Sequence, residues 1–524
     1  SVGILAQPSP DWLMADLAIL TIGAVTVPFF PSDTKEHIKY KTEDSKVKLL
    51  FLFIPDAWER VEPLTNLFRV ISKGFKPDHQ KVAGFDEFIK IGAEKDAQQP
   101  SLYPILLMEV KENDLATIIY TSGSTGVPKG VELTHKNMVS QLNGARVRLP
   151  LDSKKDIAVT CLPLAHSFEH TIVYYYIASG ISIYFNSDIK NLAMELKEVK
   201  PTLVALVPLV FEKIYANIKA KIEAGSALEK IIGNWAINVA NRHNPEKDKK
   251  NFLFWLADIL VFKKLRKAMG GRLRFVISGG APLKADLNQF FINVGVPLYQ
   301  GYGLTEASPI LSANFPDNNM IGSVGKPFPE VTIKIDPYGE VLAKGPNIMT
   351  GYHNLPEETA NMIDPEGWLH TGDLGFIDRY GYLYLTGRKK ELFKSSGGKY
   401  ITPVPIEQDL TSSPVIERAM IIGEGKSFVS VLLFPDHAYI KKWNKDPGQS
   451  DREFLESPQI RKKVDDLIES INKKLNDWEQ IKEYRFVQKP ISVESGELTP
   501  TMKIKRHVIM ERYKNLIKEI YGEQ

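Results

Sequence analysis

The residues able to do chemistry in this chain gather in a few short runs. The densest is Tyr120–Lys136, YTSGSTGVPKGVELTHK, with five hydroxyl residues and three glycines in the eleven positions from Tyr120 to Gly130. Glycines let a backbone approach a ligand closely and turn its N–H groups inward. The hydroxyls add donors and Lys129 adds positive charge. The run therefore reads as a phosphate cradle built from Thr121, Ser122, Gly123, Ser124, Thr125, Gly126 and Lys129. It does not match the GxxxxGK[ST] pattern. A plain Ser/Gly surface turn would need neither the lysine nor the helix that follows.

Three further runs carry polar groups at telling places. YQGYGLTEASP, Tyr299–Pro309, sets the Glu306 carboxylate beside the Thr305 hydroxyl. Tyr302, next to Gly303 in the same loop, can lie flat against an adenine ring. SGGAP, Ser278–Pro282, closes a strand with small residues, so Gly280 and Ala281 can bring backbone to a flat base. Asp373 in HTGD and Arg388 in TGR are fifteen residues apart across LGFIDRYGYLYLTG, a length at which a hairpin brings its end back beside its start. An aspartate there can accept from both hydroxyls of a ribose, or it can form an ordinary hairpin ion pair with Arg388. His166 follows an apolar run in LPLAHSFEH, and a basic tail, PTMKIKR, holds Lys503 and Lys505. A lone histidine on an apolar face is usually structural, and a basic tail is usually just solvated.

The elements around these runs follow from composition and pattern. The 524 residues suggest about three domains at roughly 150 each. Hydrophobic residues make up 43% and charged residues 25%, enough apolar material for several cores, which excludes disordered and fibrous classes. A net charge of +3 is too balanced for a dedicated nucleic-acid binder. The single cysteine, Cys161, excludes an internal disulfide framework and a cysteine metal cluster, points to a reducing compartment, and reads as a small core residue. Asp11–Phe30 is apolar, but Asp11, Asp16, Gly23 and Pro28 interrupt it, so it reads as a soluble helix feeding a buried strand. No basic region followed by an apolar core marks a signal peptide. The chain starts at Ser1 directly on the strand-like SVGIL, and we expect a preceding segment to be missing.

Residues 47–53, 115–123, 156–164, 181–185, 201–208 and 272–280 are short, β-branched and bounded by Gly, Pro or Ser, the signature of buried strands. Helical patterns such as Asn191–Val199 lie between them, which implies parallel sheets covered on both faces. Near residue 385 the composition shifts to the basic, glycine-rich GRKKELFKSSGGKY. Beyond it come one βαβ-like stretch, one charged amphipathic helix over residues 452–481, and a basic tail. The expected fold is α/β: a large multi-sheet N-terminal body over 1–385, a hinge at 386–389, and a small mobile α+β C-terminal domain over 390–524.

Taken together, the cradle, LPLAHSFEH, YQGYGLTEASP, GWLHTGDLGFID (367–378), LTGRKKELFKSSGGKYITP (385–403) and PTMKIKR resemble the adenylate-forming synthetases. That superfamily includes acyl-CoA synthetases, luciferases and peptide-synthetase adenylation domains. The resemblance covers essentially the whole chain. It implies a large body of parallel α/β subdomains plus a small β subdomain, with a mobile C-terminal lid. It implies ATP with Mg²⁺ held by Glu306, a ribose on Asp373, and Arg388 on the same sugar or a phosphate. It places His166 beside the carboxylate being activated, and Lys503, with Lys505 the lesser candidate, against that carboxylate and the α-phosphate. It makes Lys389 the hinge and sets Gly397 and Gly398 along a pantetheine channel for coenzyme A.

The substrate expectation is a long-chain fatty acid. The helical excursion Phe211–Phe275 resembles the long-chain fatty acyl-CoA synthetases, although His170 stands where arginine is frequent among them. The aromatic TIVYYYIASG after it suits the lining of an acyl tunnel or plain core. NFLFWLADILVF, Asn251–Phe262, lies between KDKK and KKLRK and reads either as an interfacial helix on a bilayer or as a buried helix with basic ends. The first reading gives a cytoplasmic protein in peripheral contact with the inner membrane face through Phe252–Phe262. Two rival functions stay open here: transfer of the acyl group to a carrier protein, and lipid and nucleotide binding without turnover.

Overall fold

The computed structural model describes residues 1–121, 127–186, 188–394, 399–444, 446, 448–493, 495–499 and 502–523. The cradle residues Ser122, Gly123, Ser124, Thr125 and Gly126, and the expected channel residues Gly397 and Gly398, lie outside the described residues. The chain divides into two compact units, 1–336 with 342–371 and 377–384, and 337–341 with 372–376 and 385–524.

Two sheets organise the first unit. The first runs, edge to edge, through Gly351–Tyr352, Lys129–Thr134, Leu115–Thr121, Thr26–Phe29, Val2–Leu5, Leu49–Leu52, Arg69–Ser72 and Val82–Gly84. Its last six strands are parallel, and Lys129–Thr134 returns antiparallel against Leu115–Thr121. The second runs through Lys326–Pro327, Ile310–Ala313, Leu298–Gly303, Phe275–Ser278, Leu203–Leu206, Ile157–Thr160 and Ser182–Phe185. Its central strands, Leu203–Leu206 and Phe275–Ser278, are buried at every position, as parallel strands covered on both faces are. Every run expected as a strand contains one. The helical excursion is real as well: Pro208–Glu223 and Ala227–Arg242, the latter opened by a Ser226/Glu229 capping box, pack Phe211, Ala236, Ile237 and Ala240 into the core beneath the second sheet.

In the second unit, Ile416–Ile422 and Val429–Pro435 form a hairpin. A helical crossover that includes the amphipathic helix then brings Ile481–Phe486 parallel to Val429–Pro435, so the stretch expected as βαβ ahead of that helix is a β-hairpin instead. The single amphipathic helix expected over 452–481 is instead two, Asp451–Leu455 and Pro458–Asn472. Pro458 cannot continue a helix but is well suited to start one, and the chain breaks before it. Among the described residues, no helix is long and apolar enough to cross a membrane.

Candidate active site

In the first unit most predicted residues lie at or just beyond the carboxyl ends of strands, the usual location of ligands in open α/β sheets, and Lys129, which opens an antiparallel strand, lies opposite Thr121 at the end of its neighbour. Leu298–Gly303 ends in a register shift after Tyr302. A Cβ at Gly303 would lie 1.8 Å from the Pro309 carbonyl oxygen, so only glycine fits where the loop doubles back. Thr305–Ala307 then forms a single helical turn carrying Glu306. Asn347 braces the turn by donating to the carbonyls of Ala307 (2.8 Å) and Ile310 (3.2 Å). Gly280 closes its strand at φ +78°, with Gly280 and Ala281 exposed.

Lys129 and Glu306 are brought into one cluster by two residues that the sequence did not single out. Tyr352 donates its hydroxyl proton to Glu306 Oε1 at 2.7 Å, and its ring lies 5.1 Å from the Lys129 ammonium. Lys129 also pairs with Glu358. Burial, with the charge of Glu306 after it, pushes the Tyr352 phenol far above its usual range, so it stays a donor. One weak signal for these two is present in the sequence: both lie in GYHNLPEET, which runs from a strand end to a helix start and carries a phenol and carboxylates.

His166 caps the helix Ser167–Ala178, its Nδ1 accepting from the Phe168 N–H at 3.2 Å. A neutral ring held this way carries its proton on Nε2. Ser167 bonds Thr305 at 3.1 Å, and Thr171 donates to the Ser308 carbonyl at 3.1 Å. The same helix therefore carries His166 and grips the loop of Glu306. His170 faces away from any ligand role. It is 1% exposed, meets Asp16 at 2.8 Å and stacks edge-on with Trp12 and Tyr174 in the core. The tyrosines of this helix, which the sequence left open between acyl-tunnel wall and plain core, are packed inside the protein as well. Tyr174 bonds Asp16, Tyr175 bonds the Leu149 carbonyl, and all three are buried. Cys161 is no nucleophile: burial, then Glu169 and Glu195, push its thiol far up.

The second unit holds a separate group. The hairpin strands Leu369–Ile377 and Leu383–Arg388 bring Arg388 Nε to 2.8 Å from Asp373 Oδ1, and Asp373 is 4% exposed. Lys503 shares this neighbourhood. Desolvation and then Arg388 lower its pKa, while Asp373 and Glu391 oppose the shift. Its surface remains accessible, so the protein crowds it without sealing it from water. Lys389 pairs with Glu340 at 2.9 Å, and Glu340 was not foreseen.

Among the described residues, no three acidic, histidine or cysteine side chains gather as a metal site. Mg²⁺ calls for no such cluster, since it keeps several waters and is held by one or two carboxylates together with substrate phosphates. Glu306, half-buried on its turn, is the carboxylate available for it.

Comparison with known proteins identifies the family and the fold. The AMP-binding enzyme family matches residues 1–353, and the AMP-binding enzyme C-terminal domain matches 391–524. The long-chain-fatty-acid–CoA ligase FadD15 of Mycobacterium bovis is 34% identical over all of this chain and 88% of its own length. The long-chain-fatty-acid–CoA ligase ACSBG2 of Xenopus laevis is 32% identical over all of this chain and 76% of its own. Among solved structures, the A domain of carboxylic acid reductase from Segniliparus rugosus, in complex with AMP and a co-purified carboxylic acid, superposes with a TM-score of 0.73. It is 20% identical and covers 99% of this chain and 82% of that one. The anthranilate CoA ligase AuaEII, in complex with anthranoyl-AMP, gives 0.69 at 19% identity, covering 98% and 88%. The chain belongs to the AMP-binding, adenylate-forming enzyme family, and its fold is theirs.

Proposed function

We propose that this protein is an AMP-forming long-chain fatty acid–CoA ligase. The carboxylate of the acid attacks the α-phosphorus of ATP, giving acyl-adenylate and pyrophosphate. The thiol of coenzyme A then attacks the acyl carbon, and AMP leaves. The observation that carries the reading is similarity along the entire chain to ligases of that activity, at 34% identity.

Each residue has a task in this scheme. Positioning and charge neutralisation do most of the work in such a transfer. Lys129 and the hydroxyl loop meet the phosphates. Mg²⁺ bound at Glu306 supplies further neutralisation of phosphate charge. Gly280, Ala281 and Tyr302 face the adenine, and Asp373 and Arg388 take the ribose. His166, at a helix N-terminus that favours anions, orients the acid's carboxylate. Lys503, a compact charge on a flexible stem, bridges that carboxylate and the α-phosphate, which otherwise repel. The second step needs another face of the domain 390–524, lined by Gly397 and Gly398, with Lys389 in the junction 386–389 as the hinge.

A closed acyl site gains about 0.8 kcal/mol per CH₂, roughly fourfold in affinity per carbon, so length alone favours long chains. Pyrophosphate release measured with acids from acetate to stearate should rise with chain length, and thioester should form on free coenzyme A. Fastest release with acetate refutes the long-chain assignment. Release without thioester points to a carrier-protein acceptor.

The reading also puts the protein in the cytoplasm in peripheral contact with a membrane. Phe252–Ala257 is an α-helix that widens into a π-helical turn over Asp258–Phe262. Phe254, Ala257 and Phe262 are buried, while Phe252 (70%), Leu253 (51%) and Trp255 (58%) are exposed. Lys249, Lys250, Lys263 and Lys264 flank them. An apolar face with a lysine rim suits an anionic bilayer surface. Flotation with anionic liposomes at low salt tests this, and absence of binding refutes it.

A further inference from the structure

Two nucleotide contacts of the second unit hang on one buried carboxylate. Glu340 opens the strand Glu340–Lys344 and is 3% exposed. Its Oε1 accepts from the Gly372 N–H at 3.0 Å, and its Oε2 takes the Lys389 ammonium at 2.9 Å. Gly372 immediately precedes Asp373, and Lys389 immediately follows Arg388. The loop is closed once more by the Lys389 N–H, which donates to the Gly372 carbonyl at 2.8 Å. Asp373 and Arg388 then meet directly at 2.8 Å, with Lys503 in the same electrostatic neighbourhood. The geometry is asymmetric. The lysine is 57% exposed and able to leave, while the carboxylate, at 4%, cannot follow it into water. A buried charge that loses its counter-ion is penalised, so departure of the Lys389 ammonium is opposed.

We propose that Glu340 is a positioning residue that latches the junction at Lys389 while Asp373, Arg388 and Lys503 are together, so that the first half-reaction depends on it and the second does not. The proposal deepens the two-step ligase reading and rests on it. Turning the junction requires the Glu340–Lys389 pair to open. The latch therefore sets how long the chain dwells in the arrangement that delivers Lys503, and it does so without touching substrate.

The test uses the full chain carrying Glu340→Gln, which keeps the shape and the acceptor for the Gly372 N–H but removes the charge. Arg388, Lys389 and Lys390 are three consecutive tryptic sites, so limited trypsin digestion reads the junction directly. Cleavage there should accelerate about fivefold or more, and pyrophosphate release should fall about tenfold or more, because the buried charge that opposes departure of the Lys389 ammonium is gone. The thioester yield from supplied acyl-adenylate should stay within about twofold, because that step runs after the junction has turned. Lys389→Met removes the same pair from its exposed side and covers the case in which the buried glutamine impairs folding. It should give the same selective loss, and the double variant should be no worse than either single one. Unchanged cleavage, or equal losses in the two half-reactions, overturns the proposal. A wild type that releases no pyrophosphate refutes the ligase reading instead, and the cleavage comparison then decides the latch alone.

Discussion

Glu169 sits on the helix that carries His166, fully buried at 0% exposure. Desolvation raises its carboxyl from 4.5 to about 8, although Thr160 and the N–H groups of Cys161 and Leu162 pull it the other way. The native state therefore holds a proton that the unfolded chain gives up near pH 4.5. The stability linked to it is fully present below that pH and is lost as pH rises toward 8. At about 1.4 kcal/mol per pH unit the full loss is about 5 kcal/mol, of which about 3 has gone by pH 7. Glu169→Gln keeps the shape and has no proton to lose. Its stability relative to wild type should thus improve by a few kcal/mol between pH 5 and pH 8.5. Urea titrations of the two proteins side by side, at half-unit pH steps, measure this, and only the difference between them is needed. A difference that stays constant from pH 5 to 8.5 refutes the argument and shows that the carboxylate is already ionised in the folded chain.

Three changes in the site have separable expected outcomes. Glu306→Ala should abolish pyrophosphate release while the protein still folds, at a stability cost of about 1–3 kcal/mol because the buried Tyr352 hydroxyl loses its acceptor; release near wild type refutes the metal assignment. Asp373→Ala should raise the KM for ATP through loss of about two hydrogen bonds to the ribose, each worth roughly 0.5–3 kcal/mol. An unchanged KM removes Asp373 from the site. Lys503→Ala should slow pyrophosphate release by about 10² or more, the cost of losing one oxyanion donor. Thioester formation from supplied acyl-adenylate should survive it, and equal losses in both steps contradict the two-pose mechanism.

Much of the fold was legible because the relevant signals are local. A short apolar run such as Leu203–Leu206 between prolines has few alternatives to a buried strand. The meeting of Asp373 with Arg388 was legible for the same reason, since hairpin length fixes it. The break at Pro458 was misread because the apolar spacing runs through it, and backbone chemistry overrode the periodicity. The tyrosines 174–176 were ambiguous for a different reason. An aromatic run looks alike as tunnel wall or core, and only the partners of its hydroxyls decide. Tyr174 finds Asp16, 158 positions away, which no spacing rule anticipates.

The residues that sequence reading missed have one feature in common. Glu340, Glu358 and Tyr352 each hold a residue that was foreseen: Lys389 across 49 positions, Lys129 across 229, and Glu306 across 46. A lysine or carboxylate in a glycine-rich motif advertises itself, because such a loop has little else to do. A glutamate in an ordinary strand or helix does not, since most such glutamates are solvated. What separates Glu340 from them is burial at 3% beside a charged partner, a property of the folded chain. The distinction has a physical basis. A group that contacts a ligand must stand in a cleft and can be recognised by type, whereas a group that aims it must be fixed by packing, which the fold alone supplies. Among the aiming groups, Glu340 is the one whose loss should divide the two half-reactions, as loss of the ligand-facing Lys503 does.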